Sequence, residues 1–204
     1  GMPGARTAPG GLVRVVAGAV GGARQRSRPP GGGGLLTGTA VLTREQAKDL
    51  GCLGYVARAS GLATDARLDH PSAKLTITPV TRTSGDVLAR FTLRLEEFTA
   101  ATQLAVSLIS TADTLTFRAV PDEDTGTGGA SSATRSGVGI VEGWRGTIVH
   151  RVEVDAEGRL TRAKIVDPSW FNWPALPVAL AGTIVPDFPL TNKSFNLSYA
   201  GNDL

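Results

Sequence analysis

Apolar and polar residues alternate from Thr147 to Val154. Ile148, His150, Val152 and Val154 point to one side of an extended strand; Val149, Arg151 and Glu153 point to the other. A second run ends at Val166. Between the two, Asp155-Ala156-Glu157-Gly158 predicts a turn, with Gly158 free to take a positive φ. The hairpin that gathers the apolar positions pairs Val154 with Arg159, Val152 with Thr161, His150 with Ala163 and Ile148 with Ile165. A one-residue slip would send that face to the other side of the sheet. The hairpin comes after Val141-Glu142-Gly143-Trp144-Arg145-Gly146, and Gly139–Val166 is the stretch around which the rest is expected to organise.

Upstream the period changes. Leu88, Phe91, Leu95, Phe98, Thr102, Ala105 and Ile109 recur at spacings of three and four, which predicts one helix over Ser84–Ile109, roughly 39 Å long. Its seam is of the kind that packs against other helices. Thr43 and Gln46 form a capping box for a helix that stops at Gly51. A second short helix, Leu53–Ala59, stops at Ser60-Gly61. Leu75–Val80 alternates and predicts a short strand. Past the hairpin, Asp167-Pro168-Ser169 caps a helix over Trp170–Ala181, ended by Gly182; Pro174 suits its first turn and Pro177 kinks or interrupts the remainder. Ile184–Leu204 shows no period. These elements make an α+β fold: a long helix and short helices packed with an antiparallel β-hairpin.

Two stretches stand apart. Residues 1–34, rich in Gly, Pro and Arg, read as a flexible tail rather than a targeting segment, because Arg14 and several glycines break the apolar run Leu12–Val20. Residues 121–136 read as a mobile surface loop within a domain spanning 35–204. The tail also explains the charge. Of 21 basic residues it holds five, with no acid, so the remainder carries 16 basic against 18 acidic residues despite a net +3. A body of that balance, without a basic stripe, excludes a nucleic-acid partner. Hydrophobic residues make up 41% of the 204, enough for a core. No apolar run approaches the roughly 20 residues that cross a bilayer.

Candidate chemistry is sparse. One cysteine, Cys52, and two histidines exclude an intrachain disulfide and give no metal-ligand spacing. Thr37-Gly38-Thr39 lacks the strand–helix context of a nucleotide loop. Glu96 and Glu97 are neighbours on a helix and do not face each other, which favours a solvated charge or an ion pair over a catalytic carboxylate pair. His70 precedes Pro71, so its backbone is extended and it reads as a surface residue rather than a ligand.

Four collinear blocks carry a family resemblance. Glu142-Gly143-Trp144-Arg145-Gly146, with His150 after it, resembles the Glu-Ala-Pro-Arg-Gly…His segment of nickel–iron hydrogenase large subunits, of their formate hydrogenlyase relatives and of the 49-kDa-type subunit of respiratory complex I. Gly54-Tyr55-Val56-Ala57-Arg58-Ala59-Ser60-Gly61-Leu62, then Asp65, Arg67, His70 and Pro71, is similar to the family's Arg-x-Ser-Gly-Ile/Leu…Asp-x-Arg…Pro stretch, with Ser72 where an aromatic residue is usual. Gly85-Asp86, Arg90, Arg94 and Glu97 resemble its Gly-Asp-x-x-x-Arg…Arg-x-x-Glu helix. Ser194-Phe195-Asn196-Leu197-Ser198-Tyr199-Ala200-Gly201-Asn202-Asp203-Leu204 keeps the frame of the hydrogenase ending Ser-Phe-Asp-Pro-Cys-x-x-Cys-x-x-His. Ser198 and Gly201 stand at the two cysteine positions and Leu204 at the histidine.

The resemblance implies the C-terminal portion of such a large subunit, over about residues 36–204, with its metal ligands degenerate. Serine is a poor soft-metal ligand and glycine has no side chain. The family's first Cys-x-x-Cys pair and its quinone-pocket histidine and tyrosine regions lie upstream of anything here. The implied function is a non-catalytic or partial subunit of a hydrogenase-like or NADH–quinone oxidoreductase-like electron-transfer complex; the alternative is a scaffold with no redox role. Glu142, Arg145 and His150 are the implied cavity-lining residues, Arg145 as a fixed positive charge and Glu142 as a proton-handling or orienting carboxylate. The competing expectation is a Glu142–Arg145 ion pair bracing the hairpin. No residue is assigned a catalytic step. No metal or cofactor is expected on this chain, and quinone or NAD(H) only through the intact complex. Implied partners are an iron–sulfur small subunit and membrane-arm subunits, with a homo-oligomer as the other outcome. The implied location is cytoplasmic, peripheral on the inner face of the membrane.

Overall fold

A computed structural model describes residues 34–71, 76–111 and 134–203. The expected tail up to residue 33, all of the expected 121–136 loop before residue 134, and Leu204 lie outside those residues. Helix α1 (Arg44–Asp49) opens on the expected reciprocal cap: Thr43 Oγ1 accepts the Gln46 N–H, and the Gln46 side chain accepts the Thr43 N–H. Helix α2 (Gly54–Ala59) has no side-chain cap of its own. Asn172 supplies one from far along the chain, its Oδ1 accepting the Leu53 N–H at 2.9 Å. A single turn, α3 (Ala66–Asp69), is capped by Asp65. The long helix α4 spans Val87–Thr111. It starts at Val87 rather than Ser84 because Asp86 takes the cap position, its carboxylate accepting the Ala89 N–H at 2.7 Å.

The expected strand over Leu75–Val80 does not form. Residues 76–80 carry no regular structure, and 72–75 lie outside the described residues. Just beyond, the backbone is spent on the end of α2: Arg82 N–H donates to the Arg58 carbonyl and Gly85 N–H to the Ala59 carbonyl. The orphan carbonyls at the end of α2 are thus met by the segment that follows residue 80.

The sheet has three antiparallel strands rather than two: β1 (Arg135–Gly143), β2 (Gly146–Val154) and β3 (Leu160–Val166), in the order β1-β2-β3. The Trp144-Arg145 pair is therefore the turn between β1 and β2. The β2–β3 register differs from the expected one by two residues, with Val152 opposite Ala163 and His150 opposite Ile165. The turn is the cause. Asp155 bonds Arg159 through both backbone and carboxylate, its side chain also accepts the Glu157 N–H, and an irregularity between Glu153 and Val154 absorbs the extra residue. A two-residue shift keeps each side chain on its expected side. Gly158 takes φ +80° as the turn requires.

The core lies between α1, α2, the first half of α4 and the C-terminal helices, with Leu42, Tyr55, Leu93 and Phe195 fully buried. The sheet stands outside it, and Val138, Val152 and Leu160 are exposed. The apolar seam expected on α4 is not the face that α4 buries. Ala89, Arg90 and Leu93 point inward, while Leu88, Phe98 and Ile109 are exposed. Arg90 takes a core position because each of its three nitrogens has an acceptor. Its Nε donates to Ser194 Oγ, Nη1 to the Gly85 carbonyl and Nη2 to the Ala40 carbonyl, with the Phe195 ring 4.3 Å beneath the guanidinium.

The expected helix over Trp170–Ala181 is two helices, α5 (Pro168–Asn172) and α6 (Ala175–Leu180). The break falls at Pro174, not Pro177. Pro174 caps a fresh helix and leaves Pro177 in its first turn, where a missing N–H costs nothing. Asp167 caps α5 as expected. The stretch without a period holds α7 (Phe188–Phe195) between two 3₁₀ turns, Val185–Asp187 and Ala200–Asp203.

Candidate functional site

The β1–β2 turn docks on the start of α2 with the two backbones in close approach. A Cβ on Gly54 would lie 2.1 Å from the Arg145 carbonyl oxygen, and one on Gly146 would lie 2.8 Å from the Gly54 nitrogen. Both positions also have positive φ. Two glycines are the condition for this approach. Asn172, fully buried, stitches it, donating from Nδ2 to the Leu53 and Arg145 carbonyls.

That docking carries Glu142 inward. Its side chain is 4% exposed and faces the buried guanidinium of Arg58, with Oε1 accepting from Nη1 at 3.0 Å. Oε2 accepts the Ala66 N–H at 3.0 Å and the Thr147 hydroxyl at 3.2 Å. Arg58 also bonds Glu97 through Nε and lies 3.7 Å from Asp65. Asp65 is held by Arg67 through a two-pronged bond of 2.9 and 2.6 Å. Three carboxylates thus share two guanidiniums, Arg58 and Arg67. Burial pushes the Asp65 carboxyl up, but the Arg67 guanidinium, the Arg67 backbone N–H and the charge on Arg58 outweigh it and hold it below its ordinary value. Glu97 goes the other way. Burial raises it, and its single bonded cation, Arg58, is shared with Glu142. Burial alone would weaken the charge on Arg58; the facing carboxylates reverse that and raise its pKa. Glu96 pairs with Arg82. Both adjacent glutamates are therefore in ion pairs, in keeping with their reading from sequence.

The structure separates Glu142, Arg145 and His150. Arg145 turns away from Glu142 and donates from Nε to the Asn196 carbonyl, so the expected Glu142–Arg145 ion pair is replaced by Glu142–Arg58. His150 is exposed on β2, opposite Gly139 and Ile165. His70 is exposed and lines a cavity of about 450 Å³ together with Leu53, Thr147, Val149 and Phe171. Cys52 is buried and its thiol is pushed up to about 11 by burial, which makes it a poor ligand.

At the degenerate ligand positions, Ser198 N–H donates to Ser169 Oγ at 3.0 Å and Ser198 Oγ accepts the Gly201 N–H at 2.9 Å. A Cβ on Gly201 would lie 2.5 Å from the Asp167 carboxyl carbon. Asp167 is fixed there because it caps α5 through the Ser169 N–H at 2.7 Å. An aspartate that caps a helix fills the space a second ligand side chain would need.

Residues 35–203 match the family described as the respiratory-chain NADH dehydrogenase, 49 Kd subunit. The chain belongs to that family. It is 29% identical over 163 residues to the carbon monoxide-induced hydrogenase of Rhodospirillum rubrum, an alignment covering 78% of this chain and 43% of that one. With formate hydrogenlyase subunit 5 of Escherichia coli it shares 29% over 170 residues, 81% of this chain and 28% of the other. With hydrogenase-4 component G of Escherichia coli it shares 31% over 147 residues, 70% of this chain and 25% of the other. The chain thus spans less than half the length of these relatives. Its fold is shared with a chain from the structure of the membrane-bound sulfane sulfur reductase, an archaeal respiratory membrane complex, at TM-score 0.69 and 20% identity, covering 94% of this chain and 55% of that one.

Within this family the degenerate frame is the test of a metal centre. Ser198 is engaged with the Gly201 backbone, and Gly201 abuts Asp167. These residues do not fit a thiolate-held nickel–iron site. Sequence reasoning missed Asn172 and Tyr55. Asn172 lies in no recognised motif, Tyr55 lies in a family-like block without an assigned role, and each acts on a backbone group more than a hundred positions away.

Proposed function

We propose that this chain is a metal-free part of the large subunit in a hydrogenase-like or complex I-like respiratory electron-transfer complex. The observation that carries the reading is Asp167 packed against Gly201, where a second cysteine ligand would have to stand. The buried Arg58–Glu142 network and the backbone docking of the β1–β2 turn hold this region rigid, as a wall for neighbouring subunits requires. The partners we assign are an iron–sulfur small subunit and membrane-arm subunits. Quinone or NAD(H) belongs to the assembled complex and not to this chain. Among the described residues no helix is long and apolar enough to cross a membrane, and the location we assign is the cytoplasmic face, held through partners. Affinity purification from native membranes tests this reading. Co-purification of a cysteine-rich iron–sulfur protein is the expected result.

A scaffold without redox role is the second reading, favoured by the exposed apolar face of α4, where Phe98 is 44% and Ile109 67% exposed. A stable homo-oligomer recovered with no iron–sulfur protein would select it.

A further inference from the structure

The C-terminal end of α7 gathers more positive charge than the fold needs. Three consecutive carbonyls there each accept from a different element. Arg94 Nη1 on α4 donates to the Ser194 carbonyl at 2.8 Å, Tyr55 Oη on α2 donates to the Phe195 carbonyl, and Arg145 Nε on the β1–β2 turn donates to the Asn196 carbonyl. Asn196 takes the left-handed conformation that ends the helix. Arg90 stands just behind, bonded to Ser194 Oγ. Capping a helix end accounts for about half a unit of negative charge. Three guanidiniums bring three positive charges.

Compensation on the protein side is limited to the charge of Asp86 beside Arg90. Among the described residues none of Arg90, Arg94 and Arg145 forms a salt bridge; the ion pairs run through Arg58, Arg67, Arg82 and Arg151. The carboxylate acting on Arg90 is Asp86, and its oxygens are taken by the Gly38 and Ala89 N–H groups and the Ser84 hydroxyl. Burial and the neighbouring Arg94 pull Arg90 down to about 10, against the pull of Asp86. Among the described residues both Nη groups of Arg145 lack a hydrogen-bond partner, and Arg94 has only the Ser194 carbonyl and the Tyr55 hydroxyl beside it. Arg94 and Arg145 are half-buried, so their free donors are only partly hydrated. The Arg94 guanidinium lies 5.1 Å from the Tyr55 ring centroid, and the Tyr55 ring is 6.5 Å from that of Trp144, which is 49% exposed.

We infer that Arg94 and Arg145, backed by Arg90 and bordered by Trp144, form a carboxylate-binding site at the end of α7. Two planar forks anchored on carbonyls two residues apart suit a two-oxygen anion better than a halide. The aromatic border suits an anion carried on an organic body, such as an acidic side chain of a partner polypeptide, over inorganic phosphate. The metal-free reading rests on Ser198, Gly201 and Asp167, none of which bonds Arg94 or Arg145, so the failure of either leaves the other standing.

The test is a titration of the full chain with glutarate, inorganic phosphate and chloride at constant ionic strength, following the arginine Nε–H signals by NMR. Saturable shifts at Arg94 and Arg145 with glutarate, at least tenfold tighter than with phosphate and absent with chloride, are expected. Arg94→Lys and Arg145→Lys keep the charge and a donor for the carbonyl but lose the fork, and each should weaken glutarate at least tenfold while the chain stays folded by its amide spectrum. Phosphate binding as tightly as glutarate would overturn the assignment of an organic carboxylate. Linear shifts equal for all three anions, or saturable binding untouched by both lysine variants, would overturn the site itself.

Discussion

Removing Glu142 is the sharpest perturbation of the buried network. Its carboxylate is almost fully enclosed and accepts from Arg58, Ala66 and Thr147. Breaking a buried ion pair from one side costs about 3–5 kcal/mol, because the surviving charge is left without its partner. Here Arg58 keeps Glu97 and has Asp65 at 3.7 Å, so Glu142→Ala belongs at the lower end, about 3 kcal/mol. Glu142→Gln retains an acceptor and the volume and should cost about 1–2 kcal/mol. Glu97→Gln should be close to neutral, under about 1 kcal/mol, since burial opposes the charge that Arg58 stabilises. Urea unfolding followed by far-UV circular dichroism measures all three as midpoint shifts at a common slope. If Glu142→Ala cost no more than Glu97→Gln, Glu142 would not be the acid that holds Arg58.

Ile148→Asp and Val149→Asp should each cost about 1–2 kcal/mol and differ little, since both residues are half-buried on a sheet outside the core; a loss confined to Ile148 in the same titration would restore the sequence-based hairpin face. The two acids beside Arg58 have opposite pH dependences. Asp65 is lowered in the fold, so its contribution is present above its unfolded pKa of about 3.9 and fades as pH falls through the folded value. Glu97 is raised, so its contribution is present below about 4.3 and is lost as pH rises through the folded value. Stability measured against pH should therefore show the deficit of Asp65→Asn shrinking toward acid and that of Glu97→Gln shrinking toward neutral; parallel curves would refute it. Phe98→Asp combined with Ile109→Asp should lower self-association in light scattering at several concentrations and leave the unfolding midpoint within about 0.5 kcal/mol, because both side chains are exposed on α4; unchanged association would clear that face of the role.

Local chemistry was legible in the sequence. The Thr43–Gln46 box, the Asp167 cap and the Gly158 turn depend on residues a few positions apart, and all three are present. Tertiary compensation was not legible. Arg90 in the core looks like any helical arginine until Gly85, Ala40 and Ser194 converge on it, so the face that α4 buries was not legible, while the seam read as a packing surface partly open to a partner is its outer face. The alternation of sides along the hairpin was legible, but not the register, because the Asp155 side chain lengthens the turn in a way that alternation does not record, nor the burial, because His150 and Val152 on the apolar face are exposed. Helix α7 was hidden by Pro186, Pro189 and a polar run, yet it supplies Phe195 to the core. Motif resemblance picked out Glu142 and Arg145 together, but they have separate partners, Arg58 and the Asn196 carbonyl.

The metal content of the purified chain, produced in cells supplied with nickel and iron, tests the central claim most directly. With Ser198 bound to the Gly201 backbone and Asp167 against Gly201, elemental analysis should find neither metal in stoichiometric amount. About one nickel per chain, retained through dialysis against a chelator, would contradict the account.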